Sequence, residues 1–200
     1  MTRFLACLLA VFPIAAAAGG SNYGIVPGAH PDLAGKVTEW PVPTPCFARD
    51  PAPGPDGNIY ITVMSGNKIA RFDTKTHAFK EWAMPADHHP HGLLVDKQGM
   101  VWTTGNGKLA KVAPAASEVV KEYQLPAGNG GPYAVAVDGG GMVWVNEINT
   151  DSVVRFNPAN DEMRIVQLPS KNTGIRKMIV DAGGKLWYMG SHNGRLGVVE

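Results

Sequence analysis

From about residue 36 onward, short apolar runs alternate with polar, glycine-rich breaks, and the runs recur in a fixed order. A Glu-aromatic-x-x-Pro element leads through a polar loop to an apolar run ending near Asp, then a glycine turn, a run with an aromatic, and a Gly-x-aliphatic-x-basic run. The aromatics Tyr60, Trp102, Trp144 and Trp187 are spaced 42, 42 and 43 residues apart, and Pro43, Pro85, Pro126 and Pro169 are spaced 42, 41 and 43. Two registers kept together over four copies mark an internal repeat, and runs this short read as strands. Asp56-Gly57-Asn58, Asp96 to Gly99, Asp138 to Gly141 and Asp181 to Gly184 supply hairpin turns, since glycine takes the positive φ that a reversal needs.

In strand order a, b, c, d, the pattern predicts a strands over Ala48 to Pro53, Gly92 to Asp96, Ala134 to Asp138 and Lys177 to Asp181. The b strands follow over Ile59 to Met64, Met100 to Thr104, Met142 to Asn146 and Leu186 to Met189. The c strands fall over Lys68 to Phe72, Lys108 to Val112, Val153 to Phe156 and Arg195 to Val199. Three d strands are expected over Phe79 to Met84, Val120 to Leu125 and Arg164 to Leu168. Four short strands in roughly 40 to 45 residues are one β-propeller blade. The fourth copy has no d strand of its own, while Lys36 to Pro43 has a d pattern with no strands before it. Pairing that segment with the last blade would close the ring and leave no open sheet edge. The expected fold is therefore all-β: a β-propeller of about four four-stranded blades over residues 36–200, with the N-terminal strand completing the last blade.

Composition agrees. Glycine (24) and proline (16) together make one residue in five of the 200, against a usual ~12%, and charged residues reach only 18% against ~25%. With 44% apolar residues a core can still form, so the excess reads as turns rather than disorder, and long helical bundles are disfavoured. A formal net charge of +1 offers no field for nucleic acid or an acidic membrane. Met1-Thr2-Arg3, an apolar run from Phe4 to Ile14 broken at Pro13, and Ala15 to Ala18 have the three parts of a signal peptide over residues 1–18. That run is short for a membrane span, and an uncleaved anchor is the alternative. Residues 19–35 read as an unstructured lead, and the mature chain as periplasmic or secreted, with no membrane attachment after cleavage. Cys7 would leave with the signal, so Cys46 stands alone without an internal disulfide and is expected to be a small buried apolar group.

The motifs Glu122-Tyr123-Gln124-Leu125-Pro126, Gly131-Pro132 through Val137-Asp138, Trp144-Val145-Asn146-Glu147 and Lys68-Ile69-Ala70-Arg71-Phe72 resemble the virginiamycin B lyase (streptogramin lyase) family over Lys36 to Glu200. Members usually have about seven blades, whereas this chain has room for four. The resemblance implies a metal-assisted elimination that opens a cyclic depsipeptide at its ester, with Mg²⁺ and a histidine base. The implied partner is a small cyclic peptide or another small molecule, bound by a monomer or a ring-completing dimer.

The start of each a strand faces the mouth of a propeller's channel. Eleven residues before the four aromatics stand Arg49, His91, Tyr133 and Arg176, a polar set that suits an anionic or carbonyl-rich ligand; the alternative is that they line a solvated channel. Pro90-His91-Gly92 resembles the segment in which the family carries its catalytic histidine. An imidazole titrates near ~6.5 and can take the proton α to a carbonyl, and a metal on that carbonyl would stabilise the enolate. Where the family places a metal-binding glutamate, this chain has His89, expected on the face of His91 because residues i and i+2 of an extended segment point the same way. Imidazole suits Mg²⁺ poorly, so His88, His89 and His91 could instead hold zinc or copper, or be plain loop polarity. Glu147 matches the family's other carboxylate; the other blades have Val63, Gly105 and Gly190 there. It is the expected metal ligand or electrostatic partner, with a salt bridge to Arg176 as the alternative. The slots of a second family histidine hold Arg49 and Tyr133. His192 reads as a turn residue, His30 and His77 join no constellation, and the aromatic series reads as packing between blades. Thus His91 and Glu147 are the expected catalytic pair, His89 and Glu147 the metal ligands, and Arg49, Tyr133 and Arg176 the substrate contacts. A non-catalytic binding or scaffold propeller is the competing function; a lactonase-type hydrolase would need acidic ligands that the mouth offers sparsely.

Overall fold

The structure is a computed structural model and describes residues 36–116, 118–127 and 130–200. Two units divide the chain, Met1–Glu39 and Trp40–Glu200. The expected signal and lead, with Cys7 and His30, lie outside the described residues. Of the first unit, residues 36–39 are exposed and irregular.

The second unit is all-β, with no helix among the described residues. Its first sheet comprises β1 (Ala48–Pro53), β2 (Ile59–Val63), β3 (Lys68–Phe72) and β4 (Phe79–Ala83). The second comprises β5 (Leu93–Val95), β6 (Val101–Gly105), β7 (Lys108–Ala113) and β8 (Glu118–Gln124). The third comprises β9 (Pro132–Val137), β10 (Val143–Glu147), β11 (Ser152–Asn157) and β12 (Glu162–Gln167), and the fourth β13 (Ile175–Val180), β14 (Leu186–Gly190) and β15 (Arg195–Val199). Each sheet is an antiparallel meander, and together they are the four blades of a β-propeller. Strand ends depart from the expected ones by at most two residues. The inner strands β1, β5, β9 and β13 line one cavity of about 410 Å³.

One carboxylate per blade explains why the repeat keeps its Asp and its aromatic together. Asp96 Oδ1 accepts the backbone N–H groups of Gln98 (3.0 Å) and Met100 (2.9 Å), and its Oδ2 accepts Trp102 Nε1 at 2.9 Å. Asp138 holds Trp144 at 2.9 Å and Asp181 holds Trp187 at 2.7 Å in the same way, while Asp56 takes the Tyr60 hydroxyl at 2.9 Å. The turn is thereby shaped, and the indole N–H is satisfied as its ring goes into the core. Gly57, Gly99, Gly141 and Gly184 close these turns at φ between 79° and 83°, the left-handed region that a side chain would strain.

The aromatics pack between blades. Tyr60 joins Leu93 and Val101 across the first and second blades, Trp102 joins Val135 and Phe156 across the second and third, and Trp144 joins Ile175 and Leu186 across the third and fourth. Trp187 is only half-buried, and Ile179, Met189, Leu196 and Val198 of its blade are exposed.

Two expectations fail here. The N-terminal segment does not complete the last blade: residues 36–47 contain no strand, and the fourth sheet has three strands. The segment is tied to the first blade instead: Trp40 packs against Phe72 and His77, ring centroids 4.8 Å from each, and the Thr44 N–H donates to Glu81 Oε1 at 3.0 Å. Cys46 is exposed rather than buried. It sits in the loop before β1, where its carbonyl accepts the Ser65 N–H at 3.1 Å while its thiol faces solvent.

Candidate functional site

Each blade positions the inner strand of the next. Thr62 Oγ1 donates to the His91 carbonyl (2.9 Å), Thr104 Oγ1 to the Tyr133 carbonyl (2.9 Å), and Asn146 Nδ2 to the Ile175 carbonyl (2.8 Å). All three donors are fully buried and stand two residues after the blade's aromatic. In the fourth blade that slot holds the exposed Met189. His91 is also held by its own N–H, which donates to the Thr104 carbonyl at 2.6 Å. Gly92 is required by this closeness, since a Cβ there would collide with the Tyr133 carbonyl oxygen.

The four register-matched side chains meet at the mouth. Tyr133 Oη accepts Arg49 Nη2 at 2.9 Å and Arg176 Nη1 at 3.3 Å, bringing guanidiniums from the first and fourth blades onto one phenol. The His91 and Tyr133 rings lie 3.9 Å apart between centroids, tilted by 52°. His91 Nδ1 is buried and has no hydrogen-bond partner. Burial, reinforced by Arg49 and Arg176, depresses the His91 pKa to about 4, so the ring is neutral at physiological pH. Neither arginine has a carboxylate in an ion pair among the described residues. Asp50, next in the chain, has its pKa raised by burial, against the pull of Arg49 and Lys177. A cavity of about 480 Å³ opens here, walled by Met64, His89, His91, Asn106, Tyr133 and Ile148 among others.

The remaining sequence candidates go elsewhere. His88 is fully buried and points away from the mouth, with Nδ1 2.7 Å from Glu122 Oε1, whose other oxygen accepts Lys108 Nζ at 3.2 Å. Burial lowers the His88 pKa more than Glu122 raises it. His89 has a left-handed φ of 49°, so the segment is not extended there and the expected shared face with His91 is lost. Its N–H donates to Asn67 Oδ1 (2.8 Å) and its Nδ1 lies 3.2 Å from the Met64 carbonyl, although the ring still borders the cavity. Glu147 is 2% exposed, lies against Gly130, and has its Oε1 buried without a partner. Its pKa is raised by burial, opposed by the Ala127 N–H, and the salt bridge to Arg176 is not formed because Arg176 turns to Tyr133. His192 stands in the turn after β14.

A size rule accounts for the isolation of Glu147. In the second and third blades the residue fourteen before the aromatic packs on the residue three after it: His88 on Gly105 in the second blade, Gly130 on Glu147 in the third. A glutamate fits the third blade because its partner there has no side chain. This pairing, the His88–Glu122 contact and the Thr62, Thr104 and Asn146 bridges were not read from the sequence. The bridges had a signal, a polar residue at one repeated slot of apolar strands; the others join positions 17 or more residues apart with none.

As for Mg²⁺, no three His, Cys, Asp or Glu side chains among the described residues stand close enough to share an ion. The nearest charged groups to His91 are guanidiniums, and Glu147 lies beneath Gly130. These donors do not fit a hard divalent cation.

Fold and mouth define a β-propeller that gathers two guanidiniums, a phenol and an imidazole at one end of its inner strands, beside a cavity. The chain belongs to the virginiamycin B lyase family, whose sequence profile matches residues 29–199. Among solved structures it is similar to virginiamycin B lyase from Staphylococcus aureus (TM-score 0.73, 21% identity, 84% of this chain and 61% of that one). A streptogramin B lyase structure is similar too (TM-score 0.75, 19% identity, 82% and 55%), as is a catalytically inactive form of the staphylococcal enzyme with quinupristin (TM-score 0.73, 20% identity, 84% and 61%). At these identities the likeness is one of fold, and the chain spans about three-fifths of the length of these proteins. No curated protein sequence matches it significantly. No helix among the described residues is long and apolar enough to cross a membrane.

Proposed function

We propose that the mouth carries out a carbon–oxygen lyase reaction on a cyclic depsipeptide or similar ester, with His91 as base and Tyr133 as oxyanion donor. The observation that carries this reading is the contact of the neutral His91 ring with Tyr133, whose oxygen already accepts two guanidinium N–H bonds. A phenol that accepts two such bonds keeps its own proton to donate, so it can stabilise charge developing on a substrate carbonyl. His91 takes the proton α to that carbonyl, the C–H electron pair becomes the new C=C bond, and the β carbon–oxygen bond breaks. The ester oxygen leaves as carboxylate, carrying that bond's electron pair. Family membership and the Pro90-His91-Gly92 segment support the assignment. Export rests on the pattern of residues 1–18, and N-terminal sequencing of secreted protein tests it.

Incubation with a B-type streptogramin, with and without chelator, tests the chemistry. Elimination gives an opened isomer of unchanged mass with altered fragmentation, whereas hydrolysis adds one water. Loss of the isomer in His91→Ala supports the proposal; no product, or product unchanged in that variant, overturns it.

A second reading, a non-catalytic binding propeller, is favoured by one observation: an imidazole titrating at about 4 is a weak base at neutral pH. A ligand that raises the thermal midpoint without being turned over would select it.

A further inference from the structure

We infer that Arg49, Arg176 and Tyr133 form an oxyanion-binding site, built to take a carboxylate or phosphate group at the mouth of the propeller. It goes beyond the elimination reading and does not depend on it, since a binding propeller would use the same site.

Two observations carry it. Like charges converge without a paired carboxylate: guanidiniums from β1 and β13 share the Tyr133 oxygen, and neither is in an ion pair among the described residues. The other charged neighbours are Lys177, which adds to the positive side, and Asp50, whose burial works against its ionisation. His91 contributes no negative charge. An assembly of cations held together costs free energy until an anion enters it.

Donor supply is the second observation. A guanidinium has five N–H donors in a planar fork. Arg176 uses Nη1 on Tyr133, and Arg49 uses Nη2 there and Nη1 on the Met64 sulfur at 4.0 Å. Arg176 is exposed and Arg49 half-buried, so the unused donors are reachable from solvent beside the 480 Å³ cavity. Paired forks of this kind bind planar or tetrahedral oxyanions in bidentate fashion. The occupant is an oxyanion, and the same two charges disfavour a divalent cation at this mouth.

The test is calorimetric titration of the full chain with succinate, its neutral diamide succinamide, and inorganic phosphate. Saturable binding of succinate or phosphate, absent for succinamide, supports the site, and the tighter of the two identifies the group. Arg176→Gln, an exposed substitution, and Arg49→Gln should each weaken binding about tenfold or more, with thermal midpoints of the free protein no lower than the parent's. His91→Ala should retain anion binding, which separates this result from failure of the lyase reading. Equal binding of succinamide, no binding of either anion, or full affinity in the double arginine variant overturns it.

Discussion

The Thr62 hydroxyl donates to the His91 carbonyl at 2.9 Å, so the candidate base is held in place by the preceding blade. The same oxygen accepts the Asp50 N–H at 3.1 Å, and Thr62 is fully buried. Thr62→Val keeps the shape and strands both partners, which costs about 1–3 kcal/mol. A lower urea midpoint at unchanged slope checks this, and Thr62→Ser should recover most of the loss.

Gly92 and Gly139 separate packing from conformation. A Cβ at Gly92 meets the Tyr133 carbonyl, whereas one at Gly139 meets nothing within 4 Å. Gly92→Ala should destabilise by about 1–3 kcal/mol through overpacking. Gly139→Ala should be neutral or stabilising by about 0.4–1 kcal/mol. Paired denaturation curves decide, and equal effects would refute the close approach of the blades.

His91 makes the stability depend on pH in a defined sense. Its folded pKa, about 4, is below the ~6.5 of an unfolded histidine, so folding favours the neutral ring. The stability tied to it is complete above ~6.5 and is lost as pH falls through that value toward about 4. NMR titration of the imidazole should show it neutral through most of the acidic range. Arg176→Gln should move its midpoint upward by removing one of the cations that depress it.

Glu147 behaves in the opposite sense. Its pKa is raised above 4.5 by burial, so the folded state holds the proton longer, and stability falls as pH rises from 4.5 through the folded pKa. Glu147→Gln should abolish that decline and leave the variant more stable than the parent at neutral pH. Denaturant midpoints measured across the pH range show it; parallel profiles would mean that the carboxyl is not isolated.

Much of the mouth was legible because it follows the repeat. A residue eleven before the aromatic lies at or just before the start of its inner strand, so Arg49, His91, Tyr133 and Arg176 could be placed together by counting alone. His88, His89 and His91 were not legible as a group. The left-handed φ of His89 turns three adjacent imidazoles toward Glu122, the Met64 carbonyl and Tyr133.

By itself the sequence determined the four-blade β fold, because its turns rest on local chemistry: an Asp, a glycine at positive φ and an aromatic all within seven residues. Only the tertiary structure decided which groups can react. Glu147 is shut in by Gly130, and Arg49 of the first blade and Arg176 of the fourth converge on Tyr133 of the third. Burial and Coulomb interaction depend on distance in space, and the two arginines stand 127 residues apart in the chain.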